Sequence, residues 1–166
     1  MYRKIDDFVL DWKYESGATL KILRVLTNDS LKQQVTPEGR SLGFLAWHLV
    51  LTLSEMGSKM GLQVTAPAED SEQPTNASDI ASTYDISSKS VLEAVRRSWT
   101  DASLHDEIPM YGEIWKRGGA LSSLLLHQTH HRAQMTVLMR QAGLKVPGVY
   151  GPSREEWSQM GMPPHK

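Results

Sequence analysis

Apolar residues recur at intervals of three and four along most of the chain, the spacing typical of amphipathic α-helices. The pattern predicts four long helices at about residues 2–26, 41–61, 78–99 and 119–142. The apolar stripe of the second is formed by Leu42, Leu45, Leu49, Leu53, Met56 and Met60. Its continuous run "FLAWHLVLTL" would also suit a buried strand, but the length of the segment and the helical spacing favour a helix.

The segments between these helices differ in length. Residues 63–78, "QVTAPAEDSEQPTNAS", are polar, contain two prolines and show no periodicity. They predict a long crossover loop that joins distant ends of a bundle, because such loops are uncommon inside compact domains. The segment "HDEIPMYGEIW" predicts a loop or a short ribbon. Gly143 follows the fourth helix as a C-cap, and Ser153 and Glu156 form a capping-box pattern that predicts a short last helix.

These elements together predict an all-α fold, a four-helix bundle with a long crossover connection and a short C-terminal helix. A chain of 166 residues is expected to form one domain, residues 1–166. A domain of this size buries roughly 70% of the surface that its unfolded chain exposes. The predicted bundle therefore needs no disulfide or structural metal to hold its core together.

Composition and charge narrow the classes of function. Lys+Arg 18 against Asp+Glu 19 gives a net charge of -1, so no basic field attracts nucleic acid. The chain has no cysteine, which excludes disulfides, thiolate metal sites and cysteine nucleophiles. Acidic residues stand where a signal peptide would be apolar, and the longest apolar run is about half of the ~20 residues that a membrane span requires. We therefore expect a cytoplasmic protein that binds neither nucleic acid nor a membrane.

Three of the six histidines fall within the short segment "HQTHH" of the fourth helix. His127 and His131 are four residues apart, so they project from one face of that helix. They share the apolar stripe of Leu124 and Met135, and His48 lies inside the apolar run of the second helix. The pattern therefore predicts that three imidazoles lie in the core of the bundle.

Buried imidazoles need partners, because an unpaired buried polar group costs about 1–3 kcal/mol. Each ring could bond to a backbone carbonyl or a hydroxyl, or one divalent cation could satisfy His48, His127 and His131 together. Three imidazoles are the ligand set of open catalytic zinc sites, and they also suit nickel, copper and iron. The glutamate of the HExxH metalloprotease motif is absent, because Gln128 follows His127. A metalloprotease of that type is therefore not expected.

Three further side chains are candidates for the surroundings of this site. Gln134 lies one turn past His131 and would bond either to a ligand imidazole or a bound water, or between two helices. Glu55 lies about 10 Å along the axis from His48, so it serves as a general base only if a pocket extends that far; a solvated helix end is the favoured alternative. Trp47 would wall a pocket together with Trp157, or pack in the bundle.

The remaining histidines are expected to lie outside the site. His130 falls about 60° from the stripe of the triad, which indicates a flanking or surface position. His105 and the terminal His165 lie in polar segments and are expected to be exposed to solvent.

The sequence resembles the DinB/YfiT-like family. The resemblance rests on a histidine in "GFLAWHLVLTLSE" and on the later pattern H-x-x-x-H-R-x-Q, matched by His127, His131, Arg132 and Gln134. The tail "PGVYGPSREEW" is similar to that of one branch of the family. Ala133 stands where many relatives have glycine, a small departure on a helix.

The resemblance implies a homodimeric four-helix bundle that binds zinc, nickel or a similar divalent ion through the histidine triad. It also implies an enzyme of the thiol-S-transferase or isomerase type that acts on a small molecule with a low-molecular-weight thiol as a possible partner. A metal-bound water at the same open position would instead make the protein a hydrolase. The alternatives are a metal-binding protein without turnover and a structural homodimer. The stripes of the first and third helices, which carry Trp12 and Trp99, are the faces through which we expect the dimer to form.

Overall fold

The computed structural model describes residues 1–163, which form four long helices and one hairpin. The elements are α1 (Ile5–Leu23), α2 (Leu42–Lys59), α3 (Ala77–Ser98), β1 (Glu107–Met110), β2 (Glu113–Lys116) and α4 (Arg117–Gln141). Short 3₁₀ turns cover Asp29–Lys32, Ala102–His105 and Trp157–Met160. The four helices confirm the predicted bundle, with every predicted boundary within three residues of the observed one.

The helices pack in the order α1, α3, α2, α4 around the bundle, so that α1 and α2 lie on a diagonal. The N–H of Tyr2 donates to the carbonyl of Gly118 at 3.0 Å, which places the starts of α1 and α4 side by side. Near its end α2 meets the segment that precedes α4, where the Tyr111 hydroxyl donates to Glu55. Helix α2 therefore runs antiparallel to α4.

The segment between α2 and α3 runs back along the outside of α2, as the predicted crossover requires. Two glycines of α2 allow this close approach. A Cβ at Gly57 would lie 2.7 Å from the Val64 side chain, and a Cβ at Gly43 would lie 2.5 Å from the Gln73 amide nitrogen. Because the segment returns to the start of α2 before α3 begins, α2 and α3 are parallel.

Local signals set the ends of α2, whereas a distant residue sets the start of α1. The Ser41 hydroxyl accepts from the N–H of Phe44 at 3.0 Å, and Gly61 turns the chain with a φ of 74°. The N–H of Ile5 instead donates to the carboxylate of Asp101 at 2.8 Å. Helix α1 therefore starts at Ile5 and not near residue 2.

The segment before α4, for which the sequence allowed a loop or a short ribbon, forms a ribbon of two strands. Strands β1 and β2 pair antiparallel and close with Met110 opposite Glu113. The two turn residues have left-handed backbones, with φ of 53° at Tyr111 and 83° at Gly112. This is the arrangement of a type I′ turn, in which glycine is favoured and a tyrosine is unusual.

The predicted C-terminal helix is shorter than the capping-box pattern suggested. The Glu156 carboxylate accepts from the N–H of Ser153 at 3.0 Å, which is one half of the box. The Ser153 hydroxyl finds no hydrogen-bond partner within residues 1–163. The same carboxylate also accepts from the N–H of Gly148, so it ties a loop and only a 3₁₀ turn follows. His165 lies outside the described residues.

The two tryptophans assigned to a dimer face belong to the core, so that part of the prediction is wrong. Trp12 is 1% exposed, and its indole N–H donates to the carbonyl of Ser88 at 2.9 Å. Trp99 is 7% exposed beneath the guanidinium of Arg117. Their apolar periodicity marks the inside of the bundle. Within residues 1–163, no helix combines the length and the apolar character needed to cross a membrane.

Candidate metal centre

Three imidazoles meet between α2 and α4. The Nε2 atom of His127 lies 3.2 Å from the Nε2 atom of His48 and 3.2 Å from the Nε2 atom of His131. One ring nitrogen of each histidine lies within 4.8 Å of the others. The predicted convergence is therefore present, and this group of side chains could hold a metal ion.

The helices determine where each ring lies. His127 and His131 stand one turn apart on α4, and the antiparallel packing of α2 brings His48 against them. Phe44, one turn before His48, stacks on its ring with the planes 13° apart. His131 is 7% exposed, while the other two imidazoles are only partly buried. The group is thus open to its surroundings on the His48 side.

Gln134 fixes the orientation of His131. The Nδ1 atom of His131 lies 2.8 Å from the amide oxygen of Gln134, and the amide nitrogen lies 3.2 Å from Nε2 of His130. An amide oxygen only accepts, so His131 donates from Nδ1 and, in its neutral form, carries a lone pair on Nε2. That lone pair points to the other two histidines. His130 itself is exposed, as its position on the helix predicts, and so is His105.

Burial keeps these rings neutral. It lowers the pKa of His48 and of His127 to about 4, with smaller contributions from the neighbouring imidazole of His131 and from Arg40. Burial also lowers the pKa of His131. At neutral pH all three rings therefore offer lone pairs and no charge, the state in which imidazole binds a metal.

The donor set and its spacing fit a divalent cation. In a tetrahedral site with metal–nitrogen distances of about 2.0–2.1 Å, ligand nitrogens are separated by about 3.3 Å. The two Nε2 separations at His127 match that value. The Nδ1 atom of His127 is buried and has no partner within residues 1–163. Three neutral rings that meet through Nε2 cannot all donate to and accept from one another, and a shared cation would bind the Nε2 lone pairs together.

A cavity of about 410 Å³ adjoins the group on the side of α2. His48, Phe44 and Trp47 line it near the triad, and Glu55 and Glu69 line its far part. The cavity therefore extends to Glu55, which is the condition under which Glu55 could serve as a general base. Trp47 lines the cavity, which is one of its two alternatives, but Trp157 does not.

The crossover segment forms the outer wall of this cavity and is held at two points. The indole N–H of Trp47 donates to the carbonyl of Ser71 at 2.8 Å. The Ser54 hydroxyl lies 2.5 Å from the carbonyl of Pro67. Glu69 lies between these two anchors, so its position over α2 is set by the fold.

Sequence reasoning gave no role to Arg132, which lies on the opposite face of α4. Its guanidinium is 2% exposed and contacts the Glu15 carboxylate at 2.5 Å, the Thr19 hydroxyl at 3.1 Å and the Tyr150 hydroxyl at 2.6 Å. Glu15 is itself 8% exposed. The available signal was that Glu15 and Thr19 continue the apolar stripe of Trp12 on α1.

Gln128 is a second buried polar residue whose role was missed. Its amide nitrogen donates to the carbonyl of Leu49 at 3.0 Å and lies 3.3 Å from the Thr52 hydroxyl. Its amide oxygen accepts from the Tyr84 hydroxyl at 3.0 Å. Gln128 therefore joins α4 to α2 and α3 directly beneath the triad.

The fold and the site together define a helix-bundle protein with a long crossover and a histidine group that could bind a metal. A model of the DinB family matches residues 1–164. The chain belongs to the DinB family, which confirms the resemblance seen in its histidine motifs.

Individual relatives agree with this assignment. The chain is 44% identical over 162 residues to the uncharacterized protein YrdA of Bacillus subtilis strain 168, covering 98% of this chain and 97% of that protein. A crystal structure of a DinB-like protein from Bacillus cereus ATCC 10987 is 42% identical, with a TM-score of 0.87 over 90% of this chain and 100% of that one. The DinB-like protein YjoA of Bacillus subtilis, 16% identical, shares the fold with a TM-score of 0.67 over 86% of this chain and 97% of its own.

Proposed function

We propose that His48, His127 and His131 bind a divalent metal ion, zinc or nickel, and that the protein is an enzyme acting on a small molecule at this centre. The observation that carries the proposal is the convergence of three ring nitrogens in rings that burial keeps neutral. The Nε2 atom of His127 lies 3.2 Å from each of the other two. The reaction class is transfer or isomerisation with a low-molecular-weight thiol, or hydrolysis. In either case a bound metal would lower the pKa of the thiol or water that it binds.

Three neighbouring side chains would orient the metal ligands and line the space beside them. His131 would be oriented by Gln134, which holds the proton of the ring on Nδ1 and so presents the Nε2 lone pair. Phe44 stacks on His48 and limits the rotation of that ring. Trp47 forms part of the wall of the adjoining cavity, beside His48.

The cavity is what favours an enzyme over a metal-storage or purely structural protein. A structural metal site closes its coordination shell with protein ligands, whereas a catalytic site keeps a position open. Here three protein ligands lie beside a cavity of about 410 Å³, which is within the range of small-molecule pockets. Neither metal storage nor a purely structural role requires such a cavity beside the ligands.

We also propose that the protein is a homodimer. The supporting observation is a set of large apolar side chains that α1 and α3 expose, namely Leu10 at 68%, Tyr14 at 53% and Ile86 at 60%. These side chains, and not the buried tryptophans, would form the contact. Light scattering at micromolar concentration that gives the 18.6 kDa mass of the monomer would reject the dimer.

The test of the proposed function starts with elemental analysis of protein purified without an affinity tag, because a histidine tag binds metal itself. About one zinc or nickel per chain is expected. The metal-loaded protein is then assayed for consumption of low-molecular-weight thiols with electrophilic small molecules, and for ester and amide hydrolysis. Protein that takes up no divalent metal at neutral pH would refute the proposal.

A further inference from the structure

The cavity beside the triad has a chemical character of its own. Its wall near His48 is aromatic and apolar, formed by Phe44, Trp47 and Leu51. Its far part carries two carboxylates, Glu55 from α2 and Glu69 from the crossover segment. Among the described residues, no lysine or arginine lines this cavity. An aromatic wall next to two carboxylates is a surrounding that suits a cation with an apolar stem.

The fold holds the Glu55 carboxylate by a hydrogen bond, whereas it positions the exposed Glu69 through the backbone on either side. The Tyr111 hydroxyl donates to one oxygen of Glu55 at 2.8 Å, which leaves the other oxygen free to accept. Burial and the neighbouring Glu55 raise the pKa of the Tyr111 hydroxyl, so it remains a donor. Glu69 lies on the part of the crossover that is anchored at Pro67 and Ser71. Neither carboxylate forms an ion pair with a described residue.

The distance between the triad and the carboxylates sets the length of the molecule that could contact both. His48 and Glu55 are seven residues apart on one helix, so they are separated by about 10 Å along its axis. A molecule whose reacting end reaches the triad would place a group about that far away beside the two carboxylates. Two basic side chains lie near the cavity without lining it. The Lys59 ammonium is 5.2 Å from the ring centroid of Tyr111, and the Arg40 guanidinium is 5.0 Å from that of Phe44, at the end near the triad.

We propose that the substrate, or the thiol that takes part in the reaction, carries a protonated amine, which Glu55 and Glu69 bind while its reacting end meets the histidine triad. This inference rests on the proposed metal-dependent function, because the triad defines the reacting end. A neutral analogue would lose the attraction of two carboxylates, and an anionic one would be repelled by them.

The test uses three thiols of equal length that differ in their far end: aminohexanethiol, mercaptohexanol and mercaptohexanoate. Their binding to the Co²⁺-loaded protein is measured at neutral pH by the thiolate-to-cobalt absorption band. Aminohexanethiol is expected to bind at least about fivefold more tightly than mercaptohexanol, and mercaptohexanoate most weakly. Glu55→Gln and Glu69→Gln should each reduce this preference, and the double variant should abolish it. Glu72→Gln removes a carboxylate from the same segment outside the cavity and should leave the preference unchanged.

A second measurement separates this inference from the metal chemistry. Hexylamine and hexanol are titrated into the metal-free protein by calorimetry, where neither ligand can bind a metal through sulfur. Hexylamine is expected to bind at least about fivefold more tightly. Equal affinities of the three thiols, each with a clear absorption band, would overturn the amine inference and leave the metal-thiol function standing. If no thiol gives a band, the thiol chemistry fails, and equal affinities of hexylamine and hexanol would then overturn the amine inference separately.

Discussion

The buried polar groups on the two faces of α4 differ in whether they have hydrogen-bond partners. On the face toward α1, the guanidinium of Arg132 has donors matched to Glu15, Thr19 and Tyr150. On the face toward α2, the Nε2 atoms of His127, His131 and His48 meet, and the buried Nδ1 atom of His127 has no partner within residues 1–163. The first face is complete without any further molecule, whereas the second is not. The contrast separates a polar group that holds the fold from one that, under the proposed function, binds a ligand.

The energies of the two faces differ for the same reason. A buried charge is tolerated only when it is paired, so removing one partner leaves an uncompensated charge. A neutral imidazole that lacks a partner already carries its desolvation cost in the metal-free protein. We therefore expect substitutions on the Arg132 face to affect stability, and substitutions on the histidine face to affect binding.

The largest expected effect is on the Arg132 face. Arg132→Met should lower the free energy of unfolding by about 3–5 kcal/mol, because Glu15 would remain buried without its partner. Urea denaturation followed by circular dichroism measures the change. The double variant Glu15→Leu with Arg132→Met should lose less than the single variant, since it buries no unpaired charge. A single variant within about 1 kcal/mol of the wild type would show that the two faces do not differ in this way.

On the histidine face the expected loss is in metal affinity. His48→Ala or His131→Ala should weaken stoichiometric divalent-metal binding at least about tenfold, or about 1.4 kcal/mol. His130→Ala and His105→Ala are the controls, and they should bind the metal nearly as well as the wild type. Both side chains are exposed. Equal losses in all four variants would reject the triad. The metal-free form of His48→Ala should be as stable as the wild type or more stable.

Removing the metal should weaken the fold without undoing it. A ligand present at about 100 times its Kd stabilises a protein by about 2.7 kcal/mol, and in a chain of this size each kcal/mol moves Tm by about 2–4 °C. Chelation should therefore lower Tm by about 5–10 °C, while the helical circular dichroism at 25 °C stays intact. Zinc or nickel should restore Tm. Loss of the helices on chelation would mean that the ion is structural and that the two faces of α4 are alike.

The sequence predicts the histidine face better than the Arg132 face. The spacing of His127 and His131 and the apolar phase of His48 suffice to bring the rings together, because each signal lies within one helix. The pairing of Arg132 with Glu15 could not be predicted in this way. It depends on α1 lying next to α4, and the packing order of the helices leaves no local trace in the chain.

The same distinction between local and distant causes holds for the fold. Ser41 and Gly61 mark the ends of α2 in the sequence itself, and the structure confirms both. The start of α1 depends on Asp101, a residue 96 positions away, so periodicity alone placed it too early. The extension of the cavity to Glu55 depends on how closely the crossover lies on α2, which the glycine contacts determine. No pattern within either segment reports that distance.

The smallest expected effect is the response of the metal-free protein to acid. Burial holds the pKa of His48 and His127 near 4, below the unperturbed value of about 6.5, so the unfolded chain binds more protons between these values. The contribution of these rings to stability is therefore fully present above about pH 6.5 and is lost as the pH falls toward 4.

Because both rings are only partly buried, we expect Tm of the metal-free protein to fall by only about 2–4 °C between pH 7 and pH 5.5 from this cause. Thermal unfolding in the presence of a chelator measures it, with the double variant His48→Gln and His127→Gln as the control. The variant should show a flatter dependence over the same interval, since glutamine does not titrate. An equal fall in both proteins would assign the acid sensitivity to other groups, and it would remove the evidence that the histidine face holds neutral, unpaired rings.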